Sequence, residues 1–167
     1  MMVVREDGEP RVLLPLHRKL GIRLPPGGHV ELNEHPWQAV ARELQEESGY
    51  HLSQLEVLQF RDAPTFSYNT LHPMPLLIQS HGTPVPNGTH QHTDMDYAFV
   101  TSEDPRDPIA DDESPLEWFT AAQVTAIPEG DIPGDMRMMA LELLENRDRY
   151  VRRDPLAYSL DIAPLWR

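Results

Sequence analysis

Gly28-His-Val-Glu-Leu-Asn-Glu34-His-Pro-Trp-Gln-Ala-Val-Ala-Arg42-Glu43-Leu-Gln-Glu46-Glu47-Ser-Gly49-Tyr50 is the stretch around which the chain is organised. Just before it, Pro25-Pro26-Gly27 joins Gly28 in a tight loop poor in side chains, where backbone can approach a ligand closely. Pro36 suits the first turn of a helix, where its missing N–H would be unpaired anyway. Gly49 suits the left-handed position just past a helix end. Between them Trp37, Val40, Ala41, Leu44 and Ser48 recur at i, i+3, i+4, i+7 and i+11, the buried stripe of an amphipathic helix.

Glu43, Glu46 and Glu47 fall at i, i+3 and i+4 and so share one face of that helix. Three carboxylates this close repel one another unless a cation lies between them. Arg42 can pair with Glu46 at i+4, but one guanidinium does not neutralise the whole set. A hard, oxygen-seeking ion such as Mg²⁺ suits such a cluster, with water and substrate phosphate as its remaining ligands. The ordinary reading of RELQEE is a solvated helix face, and the glutamates alone do not displace it.

The full spacing does. The stretch reads G-x5-E-x7-R-E-U-x-E-E-x-G-U, where U is a bulky apolar residue, and it resembles the Nudix box at every fixed position. Seven fixed residues, each used at about 5–10%, coincide by accident in roughly one chain per million of this length. One departure is Tyr50, where the family has an aliphatic residue; an aromatic side chain can fill that buried role.

A chain of 167 residues with net charge -13 and no cysteine narrows the function further. The length suggests one domain, 1–167, with a core of its own. The acidity argues against a nucleic-acid polymer as partner, which needs a basic footprint. It leaves room for small phosphorylated substrates, because bound metal ions invert the local charge. Without cysteine there is no disulfide, thiolate zinc site or thiol catalysis, which also sets aside the isopentenyl diphosphate isomerase branch of the resembled fold. Neither a signal peptide nor an apolar run of transmembrane length stands out, so no membrane partner and a cytoplasmic location are expected.

Outward from the box, Glu6-Asp7-Gly8-Glu9-Pro10 reads as a turn between short apolar runs, and residues 12–16 as a strand that Pro15 confines to an edge or bulge. His17-Arg-Lys-Leu-Gly21 is a basic turn. Residues 52–60 and 76–79 read as strands, whereas 81–88, with Gly82, Pro84, Pro86 and Gly88, reads as a loop. Residues 90–100 read as one strand with alternating faces. Met95, Tyr97 and Phe99 are expected in the core, and His90, His92, Asp94 and Asp96 form a polar stripe with His72 as a further member. That stripe could bind metal, including zinc, contact phosphate or recognise a base. The acid-rich loop 101–114 offers Glu113 as a general base or substrate contact. Residues 116–119 read as a strand, Thr120-x-x-Gln123 as the capping box of a helix at 120–126, and 135–149 as a longer helix with Met136, Met139, Ala140, Leu143 and Leu144 inward. The tail, 151–167, docks on the domain or on a second subunit, which leaves a homodimer open.

The resemblance implies an α/β/α sandwich with a mixed β-sheet and a Mg²⁺-dependent pyrophosphohydrolase (Mn²⁺ serving as a substitute) that cuts a diphosphate linkage in a nucleoside diphosphate derivative. Position in the motif makes Glu46 and Glu47 the main metal ligands, with Glu43 as a further ligand or water-positioning group and the Gly28 carbonyl facing the ion. Arg42 is expected to orient the glutamates, and Glu34 to hold Arg42 or the helix start. The alternatives are a (d)NTP pyrophosphatase of the 8-oxo-dGTP type, or a nucleotide-binding regulator that no longer cleaves. Regulators of this fold usually lose box carboxylates, and this chain keeps them.

Overall fold

A computed structural model describes residues 1–63, 72–85, 87–107, 109 and 114–161 of the chain. The strands are short and apolar, and their side chains alternate between two buried faces. Met2–Arg5 (β1) and Arg11–Leu13 (β2) form a hairpin across the acidic turn. Beside β1, Ala98–Thr101 (β8) runs parallel to it; Glu56–Gln59 (β5), Trp118–Phe119 (β9) and Val151–Arg153 (β10) join by antiparallel pairing. The order is β10-β5-β8-β1-β2-β9, a mixed six-stranded sheet. Leu16–His17 (β3) with Ile22–Arg23 (β4), and Leu77–Val85 (β6) with Gly88–Asp96 (β7), make separate two-stranded ribbons.

The period of two divides the core. Val3, Leu13, Val57 and Phe99 face the helix Pro36–Ser48 (α1), packing with its Trp37, Val40 and Leu44. Met2, Val4, Val12, Leu58 and Val100 face the other way, onto Val124 of Ala121–Ala126 (α2) and Met136, Ala140, Leu143 and Leu144 of Gly134–Asn146 (α3). Helices on both faces of a mixed sheet are the α/β/α sandwich that the box implied. Thr120 and Gln123 form the expected capping box on α2, and the last turn of the long C-terminal helix tightens to 3₁₀ at Arg147–Arg149. Part of the tail docks as expected: β10 extends the sheet edge, and Tyr158 meets Trp37 edge-on at 6.1 Å. Residues 162–167 lie outside the described part.

Three sequence expectations are corrected. Residues 52–60 are a 3₁₀ turn at Leu52–Gln54 followed by β5, because Gln54 caps the turn by accepting from the His51 N–H at 3.1 Å. Residues 81–85 continue β6 instead of looping out; in a two-stranded ribbon every strand is an edge, where proline is tolerated. Residues 90–100 break after Asp96, so β7 leaves for the ribbon and β8 stays in the sheet. Tyr97 and Phe99 are buried as expected, but Met95 is 43% exposed and Asp96, assigned to the wet face, is 7% exposed.

Candidate active site

The loop and α1 lock together through backbone rules first. Pro36 opens the helix, and Gly49 ends it at φ +69° with its N–H on the Gln45 carbonyl, a position that favours glycine because it carries no Cβ. His35 is the N-cap: its Nδ1 accepts from the Gln38 N–H at 3.2 Å, while Gln38 Oε1 accepts from the His35 N–H at 2.9 Å. This His/Gln version of the capping box was not anticipated, since capping is normally read from Ser, Thr, Asp or Asn. Tyr50 is fully buried, edge-on to Trp118, and burial pushes its phenol up to about 12.

Glu43, expected as a metal ligand or water-positioning group, is only 9% exposed. Gly28 explains how it fits. A Cβ at residue 28 would fall inside the Glu43 carboxyl group, so a side chain there would push this carboxylate out of its present position under the loop. The neighbouring Gly27 N–H donates to Glu47 Oε2 at 2.7 Å.

Arg42 ties the acids together. Its Nη1 donates to Glu43 Oε1 at 2.8 Å and Glu46 Oε2 at 3.0 Å. Its Nε and Nη2 grip both oxygens of Glu34, at 3.2 and 2.8 Å, and Nη2 also reaches the His29 carbonyl at 3.1 Å. Such a planar fork is something lysine lacks. The fork shifts both partners: Glu34 lies below the ordinary carboxylate range because of Arg42, and Arg42 is raised, chiefly by Glu34.

Glu46 is turned toward Arg42 and Glu47 toward Gly27, and among the described residues no three His, Asp or Glu side chains converge on one ion position. The donor set nevertheless suits a hard cation. Three carboxylates share a helix face, one is buried beneath the glycine loop, and the Glu46 side chain is 57% exposed. A second acidic group adjoins them: Asp96 and Asp135 are bridged by Gln79 Nε2 at 3.5 and 2.8 Å. Burial raises the Asp96 carboxyl, and Asp94 and Asp135 add to the shift.

The expected histidine stripe is only partly present. His90 and His92 do share a face, with ring centroids 4.5 Å apart. His72 does not belong with them; it stacks on His35 at 4.1 Å, and burial lowers its pKa. In its place stand two residues the sequence did not single out, His81 directly opposite His92 and His29 from the box loop. Only the β6–β7 register reveals His81, and reading 81–88 as a loop hid it. Asp94 Oδ2 lies 3.2 Å from His81 Nδ1. Glu113 lies outside the described residues.

Comparison with known proteins agrees with this architecture. A family model described as NUDIX domain matches residues 1–141. No curated protein sequence matches significantly. Among solved structures, a NUDIX-family hydrolase from Clostridium perfringens is 28% identical with a TM-score of 0.65, covering 86% of this chain and 92% of that one. A binary complex of a C. elegans Ap4A hydrolase superposes at TM-score 0.54 with 16% identity, covering 83% and 88%; at that distance it speaks for the fold alone.

Proposed function

Because the chain belongs to the Nudix hydrolase family, we propose that it is a Mg²⁺-dependent pyrophosphohydrolase that cleaves a diphosphate linkage in a nucleoside diphosphate derivative or a related small phosphorylated metabolite. The observation that carries this reading is the carboxylate set of α1, with Glu43 buried under Gly28 and its neighbours held by one arginine fork. A diphosphate repels hydroxide, and a divalent ion would supply charge neutralisation and a more acidic water. Glu46 and Glu47 would hold it, with Glu43 and the Gly28 carbonyl completing the site.

The chain's own residues have distinct tasks. Glu43 or Glu46 takes the proton as water oxygen attacks phosphorus, the phosphorus–oxygen anhydride bond breaks, and the electron pair leaves on the departing phosphate. Arg42 positions the glutamates without touching substrate, and Glu34 positions Arg42. The glycine loop brings backbone to the phosphates where side chains would block them.

The test is hydrolysis of nucleotide sugars, ADP-ribose, dinucleoside polyphosphates, and normal and oxidised dNTPs, with and without Mg²⁺. Mg²⁺-dependent release of a phosphorylated product, abolished in Glu46→Gln and Glu47→Gln, is expected. Equal activity in wild type and both variants would remove the assignment.

A further inference from the structure

The β6–β7 ribbon turns one face toward the box loop; that face carries three imidazoles, and a fourth, His29, meets them from the loop. His81 and His92 are paired across the ribbon with rings 5.3 Å apart and 13° from parallel. His90 lies against His92 at 4.5 Å, and His29 of the box loop meets His92 at 5.7 Å. Only His81 and His92 are stacked; His90 and His29 are tilted against His92 by 30° and 50°. Among the described residues no three of these side chains converge on an ion. The side chains of His29, His90 and His92 make no hydrogen bond among the described residues, and the Asp94 carboxylate lies 3.2 Å from His81 Nδ1.

The surroundings explain why these donors matter. The chain's net charge is -13, and the wall beside the box holds Asp94, Asp96 and Asp135 besides the α1 glutamates. The nearby guanidiniums are engaged: Arg42 with Glu34, Glu43 and Glu46, and Arg23 with Glu117 and the Phe119 ring. A phosphate outside the metal-bridged diphosphate therefore finds imidazoles on the ribbon among these carboxylates, Asp94 beside His81 included, while the buried Met1 ammonium donates to the Pro26 carbonyl.

We propose that His81, His90 and His92, with His29 at their margin, bind a phosphate group of the substrate additional to the two in the diphosphate that is cut. The inference rests on the hydrolase reading and narrows it to substrates bearing at least three phosphates. Each imidazole N–H to phosphate is a hydrogen bond to a charged acceptor, stronger than its neutral counterpart.

The experiment titrates inorganic tripolyphosphate into metal-free protein at one fixed pH, following heat and the imidazole ¹⁵N–¹H signals. Wild type is compared with the triple variant His81→Asn/His90→Asn/His92→Asn, whose thermal unfolding checks that it folds. Tripolyphosphate should move the signals of all three histidines and bind at least about tenfold more weakly to the variant. Unmoved imidazoles with equal affinity would overturn the proposal. Kinetics separates it from the hydrolase reading. The variant should raise KM about tenfold for nucleoside triphosphates, leave kcat within twofold and spare ADP-ribose. An equal KM rise for ADP-ribose would also overturn it. Should no nucleotide be cut, the hydrolase reading fails and the tripolyphosphate titration alone decides the histidine site.

Discussion

The box helix and the β6–β7 ribbon each carry a group of titratable side chains, yet they are held in opposite ways. On α1 the frame is set by local rules: a proline start, a left-handed glycine stop, and an arginine that pairs with the adjacent Glu43 and, one turn on, with Glu46. On the ribbon the side chains depend on which residue faces which across two strands, with few tethers, Ser80 to Thr93 and His81 to Asp94 among them. A site built on a locked helix can place charge for chemistry. One built on an open ribbon is suited to contacting a ligand whose length varies.

If that contrast is correct, the largest losses lie on α1. Glu46→Gln and Glu47→Gln should each lower kcat by roughly a thousandfold or more, about 4 kcal/mol on the barrier, with the unfolding midpoint unchanged. Steady-state rates and thermal melts on the same preparations check both halves. Arg42→Ala should cost roughly 10–100-fold, and Arg42→Lys nearly as much, because an ammonium cannot span Glu34 and Glu43 together. A loss no greater than that from Arg18→Ala in the β3–β4 turn would remove the orienting role of Arg42.

The same contrast decides what could be read from residues alone. The α1 boundaries, the cap at Gly49 and the α2 capping box were legible because each is specified within one or two turns of chain. The arrangement of helices on both sheet faces followed from the family resemblance. Burial of Glu43 was not legible, since it depends on Gly28 folding over a residue fifteen positions away. The partners of His92 were equally hidden: His81 faces it through a register that no local pattern announces, and His72, close to the ribbon in sequence, is drawn off by His35. Met95 was placed in the core because alternation was carried unbroken from Phe99, and the chain changes sheets between them.

Asp96 tests where the ribbon touches the sandwich. Its carboxyl is raised by burial, with the buried Met1 ammonium opposing the shift and Asp94 and Asp135 adding to it. A carboxyl whose folded pKa exceeds its unfolded value lowers stability as pH rises from the unfolded pKa through the folded one. Asp96→Asn removes that cost. It should therefore raise the melting temperature at neutral pH, and the gain should fade as pH falls below about 3.9, where the unfolded carboxyl is also protonated. A variant that melts lower at neutral pH would show that the charge is balanced in place.

The smallest effect belongs on the ribbon's outer face. Ile78 and Met95 are directly paired there, 60% and 43% exposed. Substitutions of exposed side chains usually stay within about 0.5 kcal/mol, so Ile78→Ser and Met95→Ser should barely move a denaturation midpoint. Running the melts at two protein concentrations makes the measurement sharper. A loss of about 2 kcal/mol that grows with concentration would mean the pair is covered by a second copy in solution, since association stabilises by mass action. The ribbon would then be an interface as well as a ligand contact, and its openness would belong only to the single chain.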